Sequence, residues 1–250
     1  MKRKLIFTLL VAACAFFVQA QTADEIIAKY FENTGGVAKW KALEGIKMSA
    51  KVNQGGMEIP LVITQLKDGR QMTKVTFQGK DIMQGVFDGS TLWSHNFLNM
   101  KAEKSDAETT ENFKKDIGEF PDPFLTYKER GLKVELLGKE TIDGTEAFKI
   151  KLTKKPIKVD GKDAENVVFY YFDAENFVPL MSESEIKEGP AKGQIAQNKM
   201  SDYQEVNGLM FPFSMAQGVK GQAGGSPLTI NAIELNPKVD VAAFAFPSEK

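Results

Sequence analysis

The chain has 250 residues, 42% hydrophobic and 26% charged, with 32 Lys and Arg against 33 Asp and Glu, one His and one Cys. That balance excludes the basic field by which a protein recruits nucleic acid. A single Cys excludes an intrachain disulfide, and a single His leaves any metal site to carboxylates and carbonyls.

The first twenty residues differ in kind from the rest. Lys2-Arg3-Lys4 is a basic start, Leu5 to Val18 is an apolar run, and Val18-Gln19-Ala20 has the small residues of a cleavage site. The pattern predicts a signal peptide (1–20), cleaved after Ala20, and export of residues 21–250 as one domain. The run is short for a spanning helix, which needs about 20 apolar residues. Val11-Ala12-Ala13-Cys14 also reads as a lipobox, whose acylated Cys14 would tether the chain to a membrane. The apolar continuation Ala15-Phe16-Phe17-Val18 stands where a lipoprotein places a polar tether, which favours soluble export. Cleavage after Ala20 would remove the only Cys and three cations.

Thr22-Ala23-Asp24-Glu25 has the spacing of a capping box, and Ile26, Ile27, Tyr30 and Phe31 share one helical face before Gly35-Gly36. Val37, Trp40 and Leu43 continue the helical spacing to Gly45, so a second short helix packs beside the first. From Ile46 the period becomes two. Met57, Ile59, Leu61 and Ile63 alternate with Glu58, Pro60, Val62 and Thr64, and turn signals at Gly55-Gly56, Asp68-Gly69, Gly79-Lys80 and Asp88-Gly89 divide residues 46–104 into about five strands. Such short spacing is that of an antiparallel meander. Ser105-Asp106-Ala107-Glu108 then opens a surface helix carrying Phe113, Ile117, Phe120 and Phe124, broken by Pro121 and Pro123. Alternation resumes after residue 131, giving a mainly β (α+β) chain of about eleven strands.

The chemistry-bearing residues are few. In "FDGSTLWSHN" (87–96), Asp88, Ser90 and His95 have the residue types of a hydrolytic triad. Strand alternation puts Ser90 and His95 on opposite faces, roughly 16 Å apart, and leaves Asp88-Gly89 as a turn. Asp173 with Glu175, and Glu183 with Glu185, have the residue types of an acid and a base, but read first as a turn and a solvated strand face. "GQAGGSP" (221–227) lacks the Lys-Ser/Thr of a phosphate loop and reads as a hairpin loop. No cofactor and no metal site is expected. Phe and Met are abundant at alternating strand positions, and flexible Met suits a pocket for variable apolar shapes.

Three stretches, "TADEIIAKYFENTGGVAKWKAL", "FDGSTLWSH" and "SDYQEVNGLMFPFSM", in this order and spacing, give the chain a resemblance to the LolA/LolB-like lipoprotein-localisation factors, in particular the Bacteroidetes chains called outer-membrane lipoprotein-sorting proteins. The resemblance implies an incomplete, strongly curved antiparallel β-barrel with helices as plug and lid, and a non-catalytic periplasmic carrier that shields lipoprotein acyl chains, or a related lipid. It also implies an inner-membrane release complex and an outer-membrane acceptor as partners. Carriers of this family lock their lid with a buried Arg; Arg70 is the nearest strand candidate, but its flanks do not match and the role is not carried over.

On this reading Met57, Ile59, Leu61, Ile63, Val75, Phe77, Trp93, Phe211, Phe213 and Met215 line the cavity, while Phe113 and Ile117 belong to the lid. Acyl burial would supply about 0.8 kcal/mol per methylene. Two alternatives stay open: an envelope hydrolase using scattered carboxylates, and a structural envelope protein with a solid core.

Overall fold

The computed structural model of the protein describes residues 21–222 and 225–247, so the export and tether readings of residues 1–20 lie outside the described residues. The capping box at Thr22 is formed. Its hydroxyl accepts from the Glu25 amide at 3.2 Å, while the Glu25 carboxylate accepts from the Thr22 amide at 2.7 Å. These bonds satisfy donors that a helix start otherwise leaves open. Helix α1 (Ala23–Asn33) follows and buries Ile26, Ile27, Tyr30 and Phe31; α2 (Val37–Lys41) adds Trp40, whose indole donates to the Thr34 carbonyl at 3.2 Å.

Among the described residues the strands number fifteen rather than about eleven. They are β1 (Gly45–Gln54), β2 (Met57–Leu66), β3 (Gln71–Phe77), β4 (Lys80–Phe87), β5 (Leu92–His95), β6 (Ala102–Lys104), β7 (Lys133–Ile142), β8 (Thr145–Thr153), β9 (Ile157–Val159), β10 (Lys162–Ala164), β11 (Val167–Asp173), β12 (Pro179–Glu185), β13 (Ile195–Val206), β14 (Leu209–Val219) and β15 (Ser226–Leu235). The undercount has a plain cause: β6, β9 and β10 have three residues each, too few to display a period.

Thirteen strands form one antiparallel sheet in the order β6-β5-β4-β3-β2-β1-β15-β14-β13-β12-β11-β8-β7, and β9 pairs with β10 alone. The central join is between β1 and β15, from Ile46 opposite Leu235 to Val52 opposite Leu228. The edge strands β6 and β7 are not paired with each other, so the hydrogen-bonded order is open and closes no barrel among the described residues.

Residues directly opposite across a ladder share a face. One face, called inner below, carries the row Val75, Leu61, Ala50 and Ile230 across β3, β2, β1 and β15. It also carries Ile46, Leu209, Phe211, Phe148, Ile150, Leu152 and Phe172, which pack with α1 and α2 into the largest apolar cluster. The two helices therefore plug one end of this face. Burying Ile26, Ile150 and Leu152 completely stabilises by about 1.5–3 kcal/mol per side chain.

The surface helix is shorter than its apolar spacing suggests. Helix α3 spans Ala107–Asp116, capped by Asp106, whose carboxylate accepts from the Thr109 amide at 2.7 Å; the cap is not Ser105. Two 3-10 turns, Ile117–Glu119 and Pro123–Leu125, replace the rest of the predicted helix around Pro121 and Pro123, which cannot donate to an α-helical ladder.

Candidate functional site

The inner face between the plug and the hairpin tips is the candidate site. Ala50, Leu61 and Ile230 are buried there, and Met48, Val52, Ile63, Val75, Phe213 and Met215 pack around them only half-buried. This apolar surface is made by strand alternation alone, since each of β1, β2 and β14 turns every second residue the same way. α3 lies over the end of it near β3 and β4. Phe113 packs on Phe87 of β4 with ring centroids 4.8 Å apart. Ile117 presses on the β2–β3 turn, where Gly69 has φ +93° and any Cβ would come within 2.7 Å of the Ile117 side chain.

Between this helical end and the sheet lies a cleft of about 210 Å³, with Phe113, Ile117 and Phe120 on one wall and Leu66, Arg70 and Gln71 on the other. An ionic cluster closes its floor. Lys154, only 10% exposed, stands 2.8 Å from Asp116 and 3.0 Å from Glu119. Burial pushes the Glu119 carboxyl above the usual range, against the attraction of Lys154. Arg130 donates to the Lys115 carbonyl at 2.5 Å, and its Nη1 lies 3.1 Å from Glu119 Oε1 without hydrogen-bond alignment, so both buried atoms lack such a bond.

Of the predicted lining residues, Leu61, Ile63, Val75, Phe213 and Met215 fall in this one patch, and Ile59, opposite Val52, joins it. Phe211 is on the same face but packs on Trp40 of the plug, with ring centroids 5.0 Å apart. Met57 and Phe77 stand at the rim, 57% and 36% exposed, beside the β1–β2 and β3–β4 turns. Trp93 is misplaced by the sequence reading. It sits opposite Val86 on the other face, 2% exposed, packed with Phe244, to whose carbonyl its indole donates at 2.9 Å.

Gly85, at φ +56°, explains the inversion. Thr73 is opposite Gln84, but Gln71 is opposite Phe87, so β4 carries one extra residue there, a bulge. Beyond it Phe87 turns in, and Val86 and its partner Trp93 turn out. One suspect of the triad reading, His95, and its neighbour Ser94 serve the bulge. Ser94 accepts from the Gly85 amide at 2.9 Å, and His95 Nδ1 accepts from the Met83 amide at 3.0 Å. Asp88 accepts from the Ser90 and Thr91 amides at 2.8 Å, the turn expected of Asp88-Gly89. Ser90 donates to Asp88 at 2.8 Å rather than to His95.

The remaining candidates are also placed. Asp173 accepts from the Glu175 and Asn176 amides, as a turn residue. Glu183 departs from the solvated face expected of it: it is 5% exposed and accepts from Tyr171, Gln197 and Lys220. The 221–227 stretch joins β14 to β15, with residues 223 and 224 outside the described residues. Arg70 pins the β2–β3 turn, pairing with Asp68 and donating to the Asp88 carbonyl at 3.3 Å. The arginine that holds the end of α3 is Arg130, which sequence reasoning missed because "YKERGLK" carries no periodicity to single it out.

No family model matches the sequence, and no curated protein matches it. Solved structures do match the fold. A LolA superfamily protein from Nitrosomonas europaea aligns over 92% of this chain and 99% of its own, with TM-score 0.52 and 15% identity. A DUF1329 family protein from Desulfovibrio piger aligns over 89% and 96%, with TM-score 0.54 and 12% identity. A chain described as an outer membrane lipoprotein-sorting protein domain, from Vibrio parahaemolyticus, aligns over 88% and 94%, with TM-score 0.52 and 10% identity. The chain thus has a mainly β, LolA-like fold.

Proposed function

We propose that the protein is a non-catalytic carrier of the bacterial envelope, exported by residues 1–20 into the periplasm, that holds lipoprotein acyl chains or a related lipid against its inner face. The observation that carries this reading is the patch of half-buried Met48, Val52, Ile63, Val75, Phe213 and Met215, an apolar surface that the helices leave part-covered. Soluble proteins rarely leave such a contiguous surface without a ligand or partner for it. The names of the structures that share the fold support the same reading.

In this proposal the sheet curls around the cargo. Phe113 touches β4, while Lys115, two residues on, donates to the Pro156 carbonyl just after β8 at 2.7 Å. Those strands are nine places apart in the order, about 43 Å in a flat sheet. Helix α3 is about 15 Å long. A flat sheet could not bring both strands to it, which supports a strongly curved, incomplete barrel with α3 as lid and α1–α2 as plug.

The test is native mass spectrometry of gently isolated protein, followed by titration with a fluorescent fatty-acyl probe. Bound lipid and a probe affinity lowered at least tenfold by Val75→Glu or Met215→Glu are expected. An intact sheet that binds neither lipid nor probe would favour a structural protein with a solid core and overturn the carrier.

A further inference from the structure

The outer face of β1–β4 also carries an apolar patch, and the C-terminal segment covers only part of it. Val86 and Trp93 are roofed by Phe244 and Phe246, and Thr64 is buried too, but Val62, Met72 and Met83 are only partly covered. Two cross-strand rows lie beside that roof. Lys47, Thr64 and Met72 stand opposite one another across β1, β2 and β3, and Val62, Lys74 and Met83 do so across β2, β3 and β4. All six line a cleft of about 420 Å³, closed on its other side by Val239 and Ala243.

The chemistry of the cleft is divided. Its floor is Val62, Met72 and Met83, with two flexible thioethers that adapt to an inserted apolar body. Its rim is cationic: Lys47, Lys74 and Lys238 against Asp240. Lys47 is 3.6 Å from Glu234 and Lys74 is 3.2 Å from Asp81, both solvent-exposed pairs of small worth. Lys238 has no ion pair among the described residues, and Asp240 is engaged in capping the Ala242 amide at 2.9 Å. The volume is that of a small-molecule site, mostly apolar with a few converging polar groups.

We propose that this outer cleft is a second binding site, for a single-chain amphiphilic anion: an alkyl body on Met72 and Met83, and a carboxylate or phosphate among Lys47, Lys74 and Lys238. The site is separate from the inner face, because Val62 and Thr64 point away from Leu61 and Ile63. Its occupancy does not depend on the carrier reading.

Methionine supplies the probe, since Met48 and Met215 report the inner patch and Met72 and Met83 the outer cleft. Protein labelled with ¹³C at the methionine methyls is titrated with decyl phosphate, decanoate and neutral decyl glucoside, each below its micellar concentration. Saturable shifts of Met72 and Met83 with the two anions are expected, weakened at least tenfold by Lys238→Glu, an exposed change outside the sheet. The tighter of the two anions identifies the head group. Unmoved Met72 and Met83, or shifts equal for the neutral ligand and indifferent to Lys238→Glu, overturn the site. Shifts at Met48 and Met215 alone overturn it while leaving the carrier intact; shifts at Met72 and Met83 alone sustain it and count against the carrier.

Discussion

The Tyr30 hydroxyl on α1 donates to the Asp122 carboxylate at 2.9 Å, tying α1 to the segment that follows α3. Burial pushes Asp122 up to about 6, although the Phe124 amide and the Tyr30 hydroxyl both favour its charged form, and the charge of Glu119 adds to the rise. An acid whose folded pKa exceeds its unfolded value binds more protons when folded, so this group's contribution falls as pH rises from about 4 to about 6. The Asp122→Asn variant keeps an acceptor without the charge. Its melting temperature should match the wild type near pH 4 and exceed it progressively toward pH 7, by no more than about 3 kcal/mol of stability. A constant difference across that range would rule the linkage out.

Glu183 behaves in the opposite sense. Burial opposes its ionisation, but hydrogen bonds from Gln197, Lys220 and Tyr171 outweigh that and hold it below the usual carboxylate range. Its stabilisation is present above the unfolded pKa and is lost as pH falls through the folded one. Urea titrations of Glu183→Gln between pH 7 and pH 3 should show a shallower acid loss than the wild type. Glu183→Ala, which strands the Tyr171 hydroxyl and Gln197 amide, should cost about 1–3 kcal/mol at pH 7.

Trp93 separates lining from structure. Trp93→Phe leaves the Phe244 carbonyl without its donor and should cost about 1–3 kcal/mol in chemical denaturation. Acyl-probe affinity of the folded variant should stay within twofold of the wild type. A tenfold loss would return Trp93 to the binding surface.

Gly69→Ala probes the seat of α3. The new methyl meets Ile117 at 2.7 Å, and φ +93° is unfavourable for any side chain. Faster amide exchange from Ile117 to Phe120, with protection of β1 and β15 unchanged, is the expected result. Unaltered exchange there would show that the turn does not seat Ile117.

The elements that local periodicity and capping control were legible. Thr22 and Glu25 announce α1, and Met57, Ile59, Leu61 and Ile63 announce one face of β2. What alternation cannot carry is phase across an irregularity. One left-handed glycine, Gly85, inverts the faces beyond it and moves Trp93 from the inner surface to the outer. Nor is the outer face of β2 solvated throughout: Glu58 and Pro60 are exposed, but Thr64 is 3% exposed, because a C-terminal segment with no periodic signal folds over that end of the strand. Arg130 was invisible for a related reason, since its partners are a backbone carbonyl and a carboxylate on a neighbouring turn, contacts made only after folding.

The central seam between β1 and β15 has a kinetic consequence. β15 is synthesised after every other described strand and β1 before them, yet they are neighbours in the middle of the sheet. Until the C-terminal strand arrives, one side of β1 and one side of β14 present open rows of backbone donors and acceptors, the condition under which chains pair with the wrong partner. Zipping contacts this distant in sequence is slow. The newly made chain therefore passes through a stage at which both halves of the sheet have exposed edges, and a holdase that masks β1 and β14 would raise the yield of folded protein.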